Sequence, residues 1–468
     1  MELLLLLGIP ALLAWGIVYV RFAGIAGCLV ATLLAGTVVG HPFFHISAIT
    51  LDRLILGACI AMFVAYQIRG WNQRRKWVSS DLLFACFVLA MIVTSVIHPS
   101  ADKVGPISKL LFFFLLPVIM YAIGSQVTLS TKQVRWMFAA FALLGIYLAI
   151  TAVAEKLDWK WAIYPKYIAD PKFQEFLGRG RGPLLNPAAN GILLTLALAC
   201  GIMPLIWYHG LARLSTLAMV PVYLVGILCT MTRSVWLGCA AVLVGIAIAV
   251  TPSRWRLPIG MAVLGCCSLA IFIDPSVVLS FKRDRNVSVE QMQESASLRP
   301  ILAMVAWKMF QDHPLFGCGT DQYLTKSKVY LSDRNTNLQL EKARPYVQHN
   351  MFLAMLVENG LVATVPFCLL LVVWSQWSWK LWRTERLALE YRQLGLVSLG
   401  LLISYIINGM FHDVLIFPMI NMYVFFTAGL VRNCVVHLNV VAASESASAL
   451  TAKRSENAFP RAAAEPAY

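Results

Sequence analysis

Apolar runs of about 18 residues or more recur through almost the whole of this chain, and each is long enough to cross the roughly 30 Å hydrocarbon of a bilayer as a helix. They lie near 2–20, 23–40, 53–69, 81–98, 107–124, 135–154, 188–208, 213–230, 233–251, 257–274, 350–377, 394–411 and 414–433. Strands of a membrane barrel alternate apolar and polar residues, and these runs do not. The pattern predicts an all-α, polytopic transmembrane helical bundle of about 12 spans with one long helical loop outside the membrane. Charged residues make up only 13% of the chain, about half the share of a soluble domain.

The runs divide the chain. Residues 1–274 hold the helices up to about the tenth and include an outer loop, 155–187. Residues 275–348 form the large outer loop with an amphipathic helix. Residues 349–434 hold the last spans, and 435–468 read as a disordered cytoplasmic tail rich in Ala, Ser and charge. The opening MELLLLLGIPALLAWG is acidic and lacks a small-residue cleavage site, so it predicts a retained first helix. Eleven cysteines lie mostly inside apolar runs, with no CxxC pair or His/Cys cluster, so neither a metal site nor a disulfide framework is expected. In such a chain the net charge of +15 points to anionic lipid and phosphate, not to nucleic acid.

Short basic loops orient the bundle. Arg69 to Lys76 is the densest basic turn and should be cytoplasmic. Alternation from there puts Lys132/Arg135, Arg213, Arg254/Arg256 and Lys380 to Arg392 on the same side, and 155–187 and 275–348 outside. The side of the N-terminus stays open: thirteen full spans put it outside, and one re-entrant segment would put it inside. The outer segments are basic too, which suits a surface that handles anions such as lipid phosphates.

Polar residues that interrupt the apolar pattern are the candidates for chemistry. Arg233 stands between two runs in Thr230-Met-Thr-Arg-Ser-Val-Trp236. Arginine deep in a bilayer costs about 2.5–3.5 kcal/mol, so it either lines a polar cavity or snorkels. Its planar fork suits a phosphate. Gly178-Arg179-Gly-Arg181-Gly-Pro-Leu-Leu-Asn186-Pro187 leads into a span. There an anion would meet two arginines and a helix N-terminus, which Asn186 or Asn190 would cap. Arg299-Pro300 opens the amphipathic helix, with Pro near its start. His313-Pro-Leu-Phe-Gly-Cys-Gly319 ends that helix, and His313 reads first as a structural residue. His349-Asn350 opens the next span ahead of Glu358-Asn-Gly-Leu361. A histidine at the outer water boundary can exchange a proton near neutral pH. His412-Asp413 interrupts the last apolar stretch, with structural and functional roles both open.

Taken in order, the arginine turn, the His313-to-Gly319 loop and His349-Asn350 before Glu358-Asn-Gly-Leu361 resemble the O-antigen ligase/polymerase superfamily. Gly182-Pro-Leu-Leu-Asn186-Pro187 is similar to that family's Gly-x-Phe-x-Asn-Pro element. The resemblance spans roughly 175–430. Two positions depart from it: Thr232 replaces the usual Ser before the arginine, and Leu184 replaces the Phe. The resemblance implies an inverting glycosyl transfer at the periplasmic face of the inner membrane. O-antigen on undecaprenyl pyrophosphate would be the donor and lipid A–core the acceptor. Arg233 and His349 would be catalytic. Arg179 or Arg181, with Arg233 and Arg299, would hold the donor pyrophosphate, and His313, Asn350, His412 and Asp413 would support. No metal or other cofactor is implied. Within the superfamily a polymerase is the nearest alternative, and a protein O-oligosaccharyltransferase the next. A lipid-linked glycan transporter is the alternative from another class.

Overall fold

The computed structural model describes residues 24–39, 51–70, 77–98, 110–206, 209–252, 254–258, 260–261, 289–332, 338–344 and 346–437. Among them the ordered elements are helical, with no strand. In chain order these are α1 (Gly24–Val38), α2 (Leu51–Ile68), α3 (Ser79–Ile97), α4 (Leu116–Gly124, entered through a wide π turn, Leu110–Leu115), α5 (Thr131–Lys156) and α6 (Pro187–Ile202). There follow α7 (Gly210–Cys229), α8 (Arg233–Val250), α9 (Val289–Asp312), α10 (Met351–Arg383), α11 (Leu389–Gly409) and α12 (Pro418–His437). Six of them, α3, α5, the stretch beginning with α6, α8, α10 and α12, are long and apolar enough to cross a membrane. The expected span 2–20 lies outside the described residues. Almost all of 257–274 and the tail beyond 437 do so too.

Helix directions alternate, so the loops fall at two ends. At the lower end Tyr391 Oη donates to Leu129 O at 2.6 Å, Gln393 Nε2 to Met203 O at 3.1 Å and Trp382 Nε1 to Ala249 O at 3.3 Å. The upper end gathers the 157–186 loop, the α7–α8 turn, the segment from α9 to α10 and the α11–α12 turn. In the interior α11 packs against α10, α8 and α6, and α5 against α6 and α7. Close helix approach there depends on small residues: Gly226 of α7 rests on Ala149 of α5, and Gly145 of α5 rests on Ala197 of α6. An aromatic layer binds α3, α4, α10 and α12. Phe84 and Tyr121 have ring centroids 4.3 Å apart, Tyr121 and Trp374 5.6 Å, and Trp374 and Phe425 5.1 Å.

The expected span at 350–377 is interrupted. At Gly360 the backbone leaves helical geometry, with φ 65° and ψ −171°, a region open essentially to glycine alone. Leu361 N and Val362 N lose their helical acceptors and donate instead to Pro314 O at 2.9 Å and Leu315 O at 3.1 Å. The freed carbonyls of Val357 and Glu358 accept from Cys318 N at 2.7 Å and Gly319 N at 2.9 Å. The loop at 313–319 is thus laced into the break by four backbone bonds. Asn359 Oδ1 adds acceptor bonds from Thr94 Oγ1 at 3.0 Å and Thr320 Oγ1 at 2.9 Å, which tie α3 to the same point.

Two further expectations need correction, and one open choice is resolved. The helix expected to open at Pro300 runs from Val289 straight through it; a residue well inside a helix still tolerates proline when tertiary packing holds the chain. Here the apolar face (Leu298, Ile301, Leu302, Val305, Met309) packs on Cys318, Tyr323, Leu340 and Val357. The last helix starts at Pro418, not 414, because Asp413 first caps a 3-10 turn, Val414–Ile416. Asn186, not Asn190, caps α6, accepting from Ala188 N at 2.9 Å and Ala189 N at 3.2 Å.

A Cβ at Gly360 would collide with the carbonyl of Leu315 and the amide of Gly317. Gly360→Ala is therefore expected to undock the 313–319 loop. Limited proteolysis in detergent should then cut between 313 and 350 faster than in wild type, and unchanged cleavage would refute the lacing.

Candidate functional site

Only Thr230, Met231 and Thr232 separate α7 from α8, so this turn is tight, and Met231 takes φ 50°. Thr232 donates its hydroxyl proton to Thr230 O at 3.0 Å and accepts from Arg179 Nη2 at 2.7 Å. It makes no side-chain cap on α8, whereas α6 and α10 are capped by Asn186 and Asn350. The N-terminus of α8 keeps its partial positive charge directed at the upper end.

The two arginines of the Gly-rich loop separate cleanly. Arg179 also donates to Met231 O at 3.0 Å, and its guanidinium lies 5.1 Å from the Phe176 ring centre. It therefore sits on the turn that carries Arg233. Arg181 is 0% exposed and committed inward. It donates to Ile168 O at 2.6 Å, to Glu175 O at 2.7 Å and to Phe173 O, and its Nε faces Glu155 Oε2 at 3.7 Å. Glu155 in turn accepts from Arg181 N at 3.3 Å and Gly182 N at 2.8 Å. Arg181 builds the loop. The loop is held to the bundle by Gly180 N donating to Cys229 O at 2.9 Å and by the buried Asn190 Nδ2 donating to Gly180 O at 2.9 Å.

A series of contacts leads from the turn across the upper end. Arg233, half-buried, is the first residue of α8. Its neighbour Ser234 places Oγ 3.1 Å from His412 Nε2. Phe411, next to His412, lies under Arg299, whose Cζ is 5.4 Å from the ring centre. The Arg299 side chain reaches solvent, yet partial burial, and then the charge of Arg233, hold its guanidinium below the ordinary range. Met410 O accepts from Asn350 Nδ2 at 3.0 Å. Asn350 also caps α10, accepting from Phe352 N at 2.9 Å and Leu353 N at 3.0 Å. His349 immediately precedes it, exposed and at φ 44°. Arg179, Arg233, Arg299, His412 and His349 therefore belong to one connected patch.

His313 belongs elsewhere. It neighbours His98 and Lys326: burial, then the charges of Lys326 and His313, hold the His98 imidazole below its ordinary value. Lys326 Nζ donates to Cys318 O at 2.5 Å, so this group braces the laced loop. Asp413 Oδ1 accepts from Leu415 N at 3.3 Å and shapes the α11–α12 turn. Sequence reading passed over Ser234 and Phe411, whose only signal was adjacency to Arg233 and to His412. The Met410 carbonyl carries no sequence signal.

Chemically, the patch offers three guanidinium groups, a helix N-terminus and two imidazoles. That combination can bind a diphosphate and exchange a proton beside it. A family model described as O-antigen ligase matches residues 217–368. The matched stretch, about a third of the chain, is similar to the O-antigen ligase family. The match runs from within α7 to within α10, taking in Arg233, Arg299, His313 and His349; Arg179, Arg181, His412 and Asp413 lie outside it. No curated protein matches the chain. With the apolar helices, the match supports a membrane protein with ligase- or polymerase-type glycosyl transfer involving lipid-linked polysaccharide in general terms.

Arg181→Ala strands the Glu155 carboxylate in the interior, a loss on the order of 3–5 kcal/mol for a broken buried pair. It should lower the melting temperature well below that of Arg179→Ala. Scanning fluorimetry of the two purified variants checks this, and equal melting temperatures would refute the division of roles.

Proposed function

We propose that the chain is an O-antigen ligase, acting at the periplasmic face of the inner membrane. It joins O-antigen from undecaprenyl pyrophosphate to a sugar hydroxyl of lipid A–core. The reading is carried by one observation: Arg179, Arg233 and Arg299 converge with His349 and His412 at one end of the bundle, through contacts that no single helix provides.

The donor pyrophosphate rests among Arg179, Arg233, Arg299 and the N-terminus of α8. Hydrogen bonds to charged groups contribute about 1.5–3 kcal/mol each. They strengthen as the glycosidic oxygen takes up charge, so they favour the transition state over the bound donor. The acceptor oxygen attacks the anomeric carbon from the face opposite the leaving group. Its proton passes to His349, the bond to the pyrophosphate oxygen breaks, and undecaprenyl pyrophosphate departs with the configuration inverted. His349 suits the base role by position: it is exposed, beside the patch, and fixed by the Asn350 cap. Guanidinium groups supply the positive charge, so transfer is expected to persist in EDTA.

The test is transfer by purified protein, with undecaprenyl-pyrophosphate-linked O-antigen, lipid A–core and EDTA. Wild type should give a lipopolysaccharide ladder. His349→Ala should keep donor binding and lose about 10²–10⁴ in rate, the span general-base help supplies, while Arg233→Ala should lose donor binding as well. Lengthening of the lipid-linked chains with bare lipid A–core would replace the ligase by a polymerase.

A further inference from the structure

Beside the arginine patch the 157–178 loop encloses a cavity that the transfer chemistry does not use. Its volume is about 400 Å³, and its walls include the polar Glu155, Lys156, Asp158 and Lys160 and the apolar Ile163 and Ile168. Glu155 is engaged by Arg181 and two backbone amides, and Asp158 lies 4.0 Å from Lys160 Nζ. Such a lining does not select an anion, but it offers donors and acceptors to a neutral polyol. The size falls in the range of small-molecule sites, which are largely apolar with a few placed polar groups.

Two indoles belong to the same turn. Trp159 and Trp161 flank Lys160, with rings 6.4 Å apart and 25° from parallel. They are 48% and 81% exposed. Stacked exposed indoles give a broad apolar face with polar edges, which matches the alternating C–H faces and hydroxyl rims of pyranose rings. Membrane-interface anchoring is the ordinary role of such residues, but anchoring requires neither a cavity nor a rigid turn. Here the turn is braced. Lys166 Nζ donates to Lys160 O at 3.0 Å and to Trp161 O at 3.2 Å. Tyr147 Oη donates to Tyr164 O at 2.6 Å, and Tyr167 Oη to Pro183 O at 2.8 Å. Arg181 holds the opposite wall through the Ile168, Phe173 and Glu175 carbonyls.

Position supplies the last step. Gly178, at the cavity wall, directly precedes Arg179, which touches the turn bearing Arg233. From these features we infer that the 157–178 loop is a saccharide subsite, which receives the sugars of the donor glycan nearest the pyrophosphate and stacks them on Trp159 and Trp161. The inference rests on the proposed ligase reading and extends it from the leaving group to the glycan.

The probe is O-polysaccharide oligosaccharide, released by mild acid from cells producing the chain and therefore free of lipid and pyrophosphate. Binding is followed by saturation-transfer NMR on full-length protein in nanodiscs, without sugar detergent. Wild type should bind, and Trp161→Ala and Lys160→Ala should each weaken binding about tenfold, with Trp161→Phe restoring most of it. In the transfer assay the same variants should raise the donor KM about tenfold and leave kcat within about twofold. Equal binding by wild type and variants overturns the subsite, as does transfer by a wild type that does not bind the free oligosaccharide. Loss of Trp161→Ala from the nanodiscs, with Lys160→Ala still binding as wild type does, overturns it in favour of a lipid anchor. A wild type that binds the oligosaccharide but transfers nothing sinks the ligase reading and leaves a glycan site.

Discussion

The break in α10 at Gly360 is the constraint on which the upper end depends. An interrupted helix in a membrane protein strands backbone donors and acceptors in an environment with little water to receive them. Here the interruption is laced by four backbone bonds: Leu361 and Val362 turn to Pro314 and Leu315, while Cys318 and Gly319 turn to Val357 and Glu358. The exchange depends on positive φ at 317 and 319 and on Gly317 approaching the Glu358–Asn359 backbone without a side chain, while Gly319 leaves room for His98. The consequence is positional. The loop is joined to the C-terminal end of α9, so anchoring it fixes where α9 lies, and with α9 comes Arg299 above Phe411.

Arginine has two uses in this structure, and the partners distinguish them. Arg432 and Arg181 are buried and answered from within. Arg432 pairs with Asp81 across α12 and α3 and also reaches Ser125 O at 3.4 Å; Arg181 pairs with Glu155 and three carbonyls. A buried ion pair adds little net stability but makes the loss of either partner severe, which suits groups that hold helices in register. Arg179, Arg233 and Arg299 gather at the upper end, and the charge of Arg233 opposes that of Arg299. Like charges brought that close are stabilised when an anion comes between them.

Much of the fold was readable from residue pattern alone. A run such as Leu193–Ala199 leaves little choice but a buried helix, and Asn-Pro before it announces the start. What pattern could not supply were pairings between distant residues. Asp81 and Arg432 each look like a lone charge at a span end, 351 positions apart. The His313-to-Gly319 loop reads as a helix stop, and the Glu358-Asn-Gly motif as part of a span, with nothing in either sequence to join them. In fact each is the other's ligand. The choice between Arg179 and Arg181 was undecidable for the same reason. The two differ in neighbours, not in local sequence.

The same distinction explains why Thr232 serves where a serine is usual in the superfamily. A helix-capping hydroxyl would quench the N-terminus of α8, as Asn186 and Asn350 quench those of α6 and α10. Thr232 instead directs its proton back to Thr230 O and its lone pair to Arg179. One hydroxyl thereby leaves the helix end electropositive and holds a guanidinium beside it. A β-branched residue is stiff about χ1, so the threonine methyl restrains the rotation that would return the oxygen to a capping position. The departure from serine keeps the hydrogen bond and reduces the freedom to lose it.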